Sequence, residues 1–284
     1  MREMSMSDIL ESALSEGGVL TLRMNRPEVL NSLNSDIVFA LIEALGDAAS
    51  NDNVRAIVLT GNGRGFCAGA DLAGGNWPSE DGMSPGDITA NSMEIGFNPL
   101  VRAVVDSPKP VITAINGIAA GGGVGLALSG DLVLAAESAK FRLVFAPQLG
   151  IIPDVGASWL VPNLVGRARA NGMALLGDSL PADKALEWGM VWEVHPDDQL
   201  VAKAQEYAAR MAQGSITGIK ATVRAHDKAM LQSIHDQLDF EKEEQRHYTN
   251  QPVFFEGVKA FIEKRKPNFR DIEAEQMKSA RGKK

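Results

Sequence analysis

Two glycine-rich segments have the composition of loops that bind an oxygen atom through backbone N–H groups. The first, GNGRGFCAGADL at residues 61–72, follows the apolar run 54–60, which predicts a buried strand. The second, NGIAAGGGVG at residues 116–125, follows the strand-like run 111–115 and precedes a helical pattern. Glycine lets the backbone approach a ligand closely, and peptide N–H groups that converge can bind an anion. Two strand–glycine–helix corners therefore suggest one donor from each, directed at one oxygen, as in an oxyanion hole.

Each segment taken alone also fits a tight connection after a strand. A dinucleotide-binding fingerprint requires the pattern G-x-G-x-x-G at the start of a helix, with an acidic residue about 20 positions later. Gly61, Gly63 and Gly65 do not have that pattern, and Asp71 comes too early. A P-loop would end in Gly-Lys-Ser/Thr, which neither segment contains. The pair of corners thus favours an oxyanion hole over a nucleotide site.

The overall composition is that of an ordinary soluble protein. The 284 residues are 45% hydrophobic and carry a net charge of −8, which argues against a nucleic-acid partner but not against an anionic small ligand. The single cysteine, Cys67, excludes an intrachain disulfide framework, and packing in the core explains it better than a nucleophilic role. No signal peptide and no membrane-spanning segment is recognisable, so we expect a cytoplasmic protein with no membrane partner.

Alternating strand and helix patterns predict an α/β architecture. Strands are expected at 19–24, 111–115 and 132–136, and helices at 35–48 with Ser35 as N-cap, at 88–105, at 157–176 with a break or bend at Pro162, and at 182–188. The polar stretch Ala73–Asp87 is expected to be mobile and to lie over a pocket. From about Leu200 the pattern becomes helical and highly charged, with helices at 201–213, 219–231, 233–248 and 254–264. The chain is therefore divided into a core at 1–199 and a helical region at 200–284.

Several motifs together resemble the crotonase (enoyl-CoA hydratase/isomerase) superfamily. They are RGFCAGADL, INGIAAGGG and GIIPDVGASWL, with NRPEVLNSLN earlier, and the resemblance runs from about Val19 to Phe269. It implies a right-handed ββα spiral core and a C-terminal helical region that assembles a homotrimer or a dimer of trimers. It also implies an acyl-CoA substrate with no cofactor beyond the coenzyme A that the substrate carries. The oxyanion donors fall on the N–H groups of Ala68 and Gly122.

The resemblance further implies residues that contact the substrate. FIEKRKPNF, at residues 261–269, is similar to the family's terminal helix, where basic residues lie near the CoA phosphates. Lys264 and Arg265 are candidates for that contact, although a charged run is also typical of a solvated face. Asp71 either contacts substrate or orders the backbone of its loop. The complete set of implied contacts is Val29, Leu30, Gly69, Ala70, Asp71, Leu72, Gly121 and Lys264.

Both glutamates that family hydratases use are missing from this chain. The positions that correspond to them are Gly125 and Ala146, and neither carries a titratable group. Hydration requires that water be activated and that a proton be delivered to carbon, and the family hydratases use the two glutamates for this. The sequence therefore predicts that the protein does not hydrate by the family mechanism.

One carboxylate, Asp154, remains near the expected site. From the residues alone it is equally well explained as a helix N-cap and as a catalytic base. The resemblance favours a base, because isomerases and dehalogenases of the superfamily place an aspartate at this point of the motif. A single carboxylate can take a proton from one carbon of an acyl-CoA and return it to another.

The other polar candidates suggest no second site. Asp131 is expected in a turn or cap, and no triad or metal-binding spacing is recognisable among the four histidines, His195, His226, His235 and His247. The stretch from Ala139 to Leu180 resembles the branch of ring-1,2-epoxyphenylacetyl-CoA isomerases. The hypothesis is thus an acyl-CoA isomerase with Asp154 as base. A hydratase with an unusual site and a non-catalytic acyl-CoA binder are the alternatives, and the missing fingerprint disfavours a nicotinamide-dependent oxidoreductase.

Overall fold

The computed structural model describes residues 2–3, 8–74 and 76–281. Outside these ranges lie Met1, residues 4–7, Gly75 and residues 282–284. Neither predicted region, 1–199 or 200–284, is therefore described in full. Within the described residues, no helix is both long and apolar enough to cross a membrane.

A seven-stranded sheet and a four-stranded sheet make up the β-structure of the described residues. The larger sheet has the order β1-β2-β3-β4-β6-β8-β11, formed by Arg2–Glu3, Leu10–Leu14, Val19–Met24, Ala56–Gly61, Val111–Ile115, Leu132–Ala136 and Glu193–His195. From β3 to β11 its strands are parallel, and β1 and β2 add antiparallel pairs at one edge. The smaller sheet has the order β10-β9-β7-β5, formed by Leu180–Pro181, Lys140–Arg142, Ile118–Ala120 and Gly65–Cys67.

Helices surround the sheets and dominate the C-terminal part. They are α1 Ser35–Ser50, α2 Pro85–Ser92, α3 Asn98–Val105, α4 Gly122–Leu128, α5 Ala157–Val165, α6 Arg167–Leu176, α7 Ala182–Glu187, α8 Leu200–Gln213, α9 Ile216–Ala229, α10 Ile234–Tyr248, α11 Pro252–Ile262 and α12 Phe269–Arg281. Two π-helical turns, Met93–Phe97 and Phe145–Leu149, interrupt the regular pattern.

The chain repeats a β-β-α unit, as the resemblance implies. Each repeat places one strand in the larger sheet and the next in the smaller sheet before a helix follows: β4, β5 and α2–α3, then β6, β7 and α4, then β8, β9 and α5–α6. Strands β4 and β6 are buried along their whole length, which explains their continuous apolar sequence. Because β5 and β7 are adjacent and parallel, the two glycine-rich corners meet at one place.

Most predicted elements are present with several bounds shifted by a few residues, and the predictions for one helix cap and one helix break are wrong. The N-cap of α1 is Asn34 rather than Ser35, because the Asn34 side chain accepts the backbone N–H of Ile37. The helix predicted at 157–176 is interrupted at Gly166, not at Pro162. Pro162 lies inside α5, whereas Gly166 adopts a backbone conformation with φ 79° and ψ 156° that a non-glycine residue rarely takes. Helix α12 was not predicted.

A buried ion pair connects the last helix to the larger sheet. Arg55, directly before β4, donates to Glu273 of α12 at 2.9 Å, and both side chains are 4% exposed. The guanidinium also donates to the carbonyls of Ala212 and Gly214, where α8 ends. The Glu273 carboxylate in turn accepts the Thr217 backbone N–H in the first turn of α9. One face of α8 belongs to the main hydrophobic core, so the first helix of the region predicted at 200–284 packs directly on the sheet.

Candidate active site

The two glycine corners and Asp154 line one cavity of about 250 Å³. Its wall has a backbone-rich part, formed by the corners, and an apolar part, formed by the helical segment 88–97 and by the second π-helical turn. The lining residues are Ala68, Gly69, Ala70, Asp71, Leu72, Trp77, Ile88, Thr89, Ser92, Met93, Phe97, Gly121, Gly122, Val144, Phe145, Leu149, Ile151 and Asp154. Both π-helical turns contribute to this wall, in keeping with the frequent occurrence of such turns at functional sites.

Two asparagine side chains hold the turn that leads into the first corner. The amide of Asn116 accepts the Gly61 N–H at 3.0 Å and donates to the Gly63 carbonyl at 2.9 Å. The buried Asn31 amide donates to the Gly65 carbonyl at 2.8 Å. These bonds satisfy backbone groups that a strand-to-loop transition leaves without ladder partners. They fix the path of the chain immediately before Ala68.

The corners contact each other backbone to backbone, which requires glycine. A Cβ atom on Gly69, whose φ is +90°, would lie 2.8 Å from the Ala120 carbonyl oxygen and 3.1 Å from the Gly122 nitrogen. A Cβ atom on Gly123 would lie 2.1 Å from the Cys67 carbonyl oxygen. Side chains at these positions would separate the corners. The glycines therefore allow the Gly122 nitrogen to lie next to the first corner.

The two predicted oxyanion donors differ in whether they already make a hydrogen bond. Within the described residues, the Gly122 N–H at the start of α4 makes no hydrogen bond. The Ala68 N–H donates to the Leu30 carbonyl at 3.0 Å. Leu30 has a left-handed backbone with φ 53°, an uncommon conformation for a non-glycine residue. Of the two predicted donors, one is therefore open and the other already has an acceptor.

Asp154 does not cap α5. The helix begins after Gly156, which has a φ of 80° and gives no side-chain cap, and the only bond from the first turn of α5 to Asp154 goes to its backbone carbonyl. The carboxylate instead faces the second corner, because its Oδ1 lies 3.3 Å from the position that a Cβ atom of Gly122 would take. Burial raises the pKa of Asp154 above its ordinary value, although a hydrogen bond from its own backbone N–H acts in the opposite direction.

The turn that carries Asp154 is packed directly against Gly125. A Cβ atom at position 125 would lie 1.9 Å from the Val155 carbonyl oxygen. Val155 itself has a φ of 51°, which is a strained conformation for a β-branched residue and costs about 1–3 kcal/mol. Strain of this kind persists only where surrounding contacts hold it. With this backbone, position 125 has no room for a glutamate or for any other side chain.

An ion pair orders the loop that follows the first corner. Asp71 pairs with Arg26 at 2.9 Å and accepts the Gly74 N–H, and Arg26 also donates to the Ser32 carbonyl. Burial of Asp71 tends to raise its pKa, but the hydrogen bonds and charge of Arg26 together with backbone N–H groups lower it overall. Asp71 is therefore an ionised structural anchor in the cavity wall.

The predicted substrate contacts divide into two groups. Gly69, Ala70, Asp71, Leu72 and Gly121 line the cavity. Val29, Leu30 and Lys264 are not among the lining residues. Leu30 reaches the site through its carbonyl bond to Ala68. The neighbour of Lys264, Arg265, is paired with Glu256 and Glu263, so its charge is already balanced within α11 and the turn after it.

The other candidate residues from the sequence do not line the cavity. Cys67 is fully buried, and burial raises the pKa of its thiol to about 12, which confirms a packing role. Asp131 is paired with Lys220 at 2.7 Å and accepts the Val111 N–H, as a structural anchor would. In the part of the chain that the structure describes, no group of three or more His, Cys, Asp or Glu side chains has the arrangement of a metal site.

Most of the apolar cavity wall carries no sequence motif. Trp77, Phe97 and Phe145 are lining residues that no motif identified. The available signal was a single tryptophan within the polar stretch 73–87, because such a residue needs an apolar surface to cover. That stretch was expected to lie over a pocket, and Trp77 does so.

The chain is similar over most of its length to several known proteins. Residues 15–273 match the family described as enoyl-CoA hydratase/isomerase. The chain is 46% identical over 254 residues to the 1,2-epoxyphenylacetyl-CoA isomerase of Escherichia coli K12, covering 89% of this chain and 95% of that protein. It is 38% identical to a probable enoyl-CoA hydratase of Rhodobacter capsulatus, covering 89% of this chain and 94% of that protein. The crystal structure of an enoyl-CoA hydratase from Bacillus anthracis superimposes with a TM-score of 0.83 at 32% identity, covering 92% of this chain and 99% of that one.

Proposed function

Because this chain belongs to the enoyl-CoA hydratase/isomerase family, we propose that it is an acyl-CoA isomerase in which Asp154 carries the proton. The observation that supports this most directly is the half-buried Asp154 carboxylate beside Gly122, in the same cavity as the two glycine corners. The carboxylate is not used as a helix cap, and no other described side chain is paired with it. A desolvated, unpaired carboxylate in a cleft is typical of a catalytic acid–base group.

In the proposed reaction, the Asp154 carboxylate removes a proton from a carbon next to the thioester carbonyl. Electrons from the broken C–H bond move into the thioester, and negative charge develops on its oxygen. Protonated Asp154 then returns the proton to a different carbon, and the thioester carbonyl re-forms. The raised pKa of Asp154 suits both steps, since the carboxyl group must hold a proton between them.

The enolate oxygen needs hydrogen-bond donors, and Gly122 supplies the open one. Its N–H has no acceptor within the described residues and emerges where the corners meet. Ala68 would become the second donor when the substrate oxygen replaces or shares the Leu30 carbonyl. Donors directed at a developing negative charge in an apolar cavity are worth far more than in water.

A hydratase, or an acyl-CoA binder without activity, would differ from an isomerase in the reactions that it catalyses. We expect the protein to convert a 3-enoyl-CoA to the conjugated 2-enoyl thioester, which is followed by its ultraviolet absorbance. We expect no water addition to crotonyl-CoA at a rate typical of good enzymes. Rapid hydration would contradict the argument from Gly125 and Ala146, and binding of acyl-CoA without turnover of either substrate would indicate a binder.

Introducing the hydratase glutamate should not produce a hydratase. In Gly125→Glu the new Cβ atom collides with the Val155 carbonyl, so the turn must move and carry Asp154 with it. A displacement on the order of 1 Å at a reacting group costs roughly 10²-fold, so we expect isomerisation to fall by about that factor without a gain in hydration. Both rates are measured on the same preparation after its fold is checked by circular dichroism.

Gly172→Glu is the matched control for this experiment. Gly172 lies in α6, where a Cβ atom has no neighbour within 4 Å, so the same substitution should leave isomerisation unchanged. Efficient water addition by Gly125→Glu would show that the site tolerates the hydratase arrangement and would contradict the steric argument.

Isomerisation should decline on the acid side at a pH above the range of an ordinary aspartate. The reaction starts with the ionised carboxylate, and burial raises the pKa of Asp154, so protonation disables the base at a higher pH than about 3.9. We expect kcat/KM to rise through this raised pKa and then to level off. A profile that stays flat down to the ordinary range would show that Asp154 is not the titrating base.

The homotrimer or dimer of trimers remains a proposal that rests on the family resemblance. It is supported by large apolar side chains that α10, α11 and the turn after α9 expose, namely Leu231, Ile234, Leu238, Phe255, Phe261 and Ile262. Sedimentation equilibrium would measure the assembly directly, and a monomer at micromolar concentration would contradict the proposed oligomer.

A cytoplasmic location likewise remains a prediction.

A further inference from the structure

Trp77 is the largest side chain in the cavity wall, and other aromatic rings hold it in place. Its ring centroid lies 4.7 Å from that of Phe97, another lining residue, with the planes tilted by 58°. On another side, Phe39 of α1 meets it nearly edge-on, with centroids 5.9 Å apart. Tilted and edge-on pairs of this kind are favourable beyond the area that they bury. The indole is therefore positioned by packing.

Gly96 provides the space that the indole occupies. A Cβ atom on Gly96 would lie 2.3 Å and 2.4 Å from the Cζ3 and Cη2 atoms of Trp77. Gly96 belongs to the π-helical turn Met93–Phe97, which also places Met93 and Phe97 in the cavity wall. The ring thus rests directly on the backbone of the helical segment.

Hydrogen bonds hold the chain on both sides of Trp77. The Asn76 carbonyl accepts the Ser35 hydroxyl at 3.0 Å, which ties the segment to the start of α1. The Pro78 carbonyl accepts the Asn91 side-chain amide at 2.8 Å, which ties it to α2. Two hydrogen bonds and the packing of the indole ring therefore hold the chain around Trp77.

We propose that Trp77 determines which acyl groups the protein accepts, by closing the apolar part of the cavity and presenting an aromatic face to the acyl group. This inference rests on the proposed isomerase function and specifies its substrate class as short or aryl-substituted acyl thioesters. A cavity of about 150 Å³ is enough for a benzene ring, so the 250 Å³ here has room for a phenyl ring with its linker. A long straight chain would have to displace the indole from Gly96.

Binding of unreactive thioesters tests this proposal independently of turnover. Dissociation constants of phenylacetyl-CoA, hexanoyl-CoA and dodecanoyl-CoA are measured by calorimetry for the wild type, Trp77→Ala and Trp77→Phe. We expect the wild type to prefer phenylacetyl-CoA over dodecanoyl-CoA by about 10-fold or more, on the scale of a few methylene groups that do not fit. Trp77→Ala should lose or reverse this preference, whereas Trp77→Phe should retain most of it.

Trp192→Ala is the control, because Trp192 is 60% exposed and does not line the cavity. The Trp192→Ala variant should prefer phenylacetyl-CoA over dodecanoyl-CoA by the same factor as the wild type. An unchanged preference in a folded Trp77→Ala variant would overturn the role of Trp77. If the wild type binds and discriminates the thioesters but isomerises none, the proposed function fails while the assignment of Trp77 stands. If it binds no acyl-CoA, both fail.

Discussion

Asp154→Asn should reduce isomerisation by about 10²-fold or more while the affinity for acyl-CoA survives. Asparagine has the shape of the aspartate but cannot accept a proton from carbon. The carboxylate is not a helix cap, so the loss should come from chemistry and not from a disturbed α5. The measurement is kcat on a 3-enoyl-CoA, together with the dissociation constant of an unreactive acyl-CoA.

The same variant should be at least as stable as the wild type at neutral pH. Burial raises the pKa of Asp154 in the folded protein, so between the ordinary and the raised pKa the folded state binds more protons than the unfolded state. The contribution of this group to stability is therefore present at low pH and decreases as the pH rises through that window. Asparagine has no charge to desolvate, and the comparison is made by thermal unfolding at several pH values.

Asp178→Asn is a suitable control, since Asp178 is an exposed aspartate in the turn after α6. It should change neither activity nor stability. Full activity of Asp154→Asn would overturn the proposed mechanism but not the fold.

Gly122→Pro should lower isomerisation by roughly 10²–10³-fold, the usual cost of removing one oxyanion donor. Proline removes the N–H, and it is well tolerated at the first position of a helix, which Gly122 occupies. The change also introduces a Cβ atom, which would lie 2.7 Å from a methyl group of Val155. That collision alone would lower activity, so a second variant is needed.

Gly122→Ala separates the two effects, because alanine introduces the same Cβ atom and keeps the N–H. We expect the alanine variant to be considerably more active than the proline variant, and the ratio of their kcat values reports the donor. Equal activities of the two folded variants would show that the Gly122 N–H does not stabilise the reaction.

Buried strands were the easiest part of the fold to predict. The ranges of β3, β6 and β8 were predicted to the residue, because short apolar runs bounded by polar or glycine residues leave little choice of boundary. Boundaries between chemically similar neighbours were less certain. Asn34 and Ser35 are both good caps, and only the hydrogen bond to Ile37 distinguishes them.

The candidate site was predictable where its chemistry lies in the backbone of local motifs. The glycine corners show in the sequence because close contact between them excludes side chains, as at Gly69 and Gly123. Neither the left-handed backbone of Val155 nor the hydrogen bond from the Ala68 N–H to the Leu30 carbonyl can be recognised in the sequence. Both depend on contacts between segments that lie some 30 or more residues apart, and a β-branched residue gives no local indication of a positive φ.

The ion pair between Arg55 and Glu273 has a consequence for the order in which the chain completes its fold on the ribosome. The partners are separated by 218 residues, so β4 is synthesised long before the carboxylate that neutralises its neighbouring guanidinium. At about 5–20 residues per second this interval is on the order of ten to forty seconds. During that time Arg55 stays hydrated, since burying an unpaired charge is strongly unfavourable. We therefore expect the larger sheet to reach its final packing beside β4 only after α12 has been synthesised.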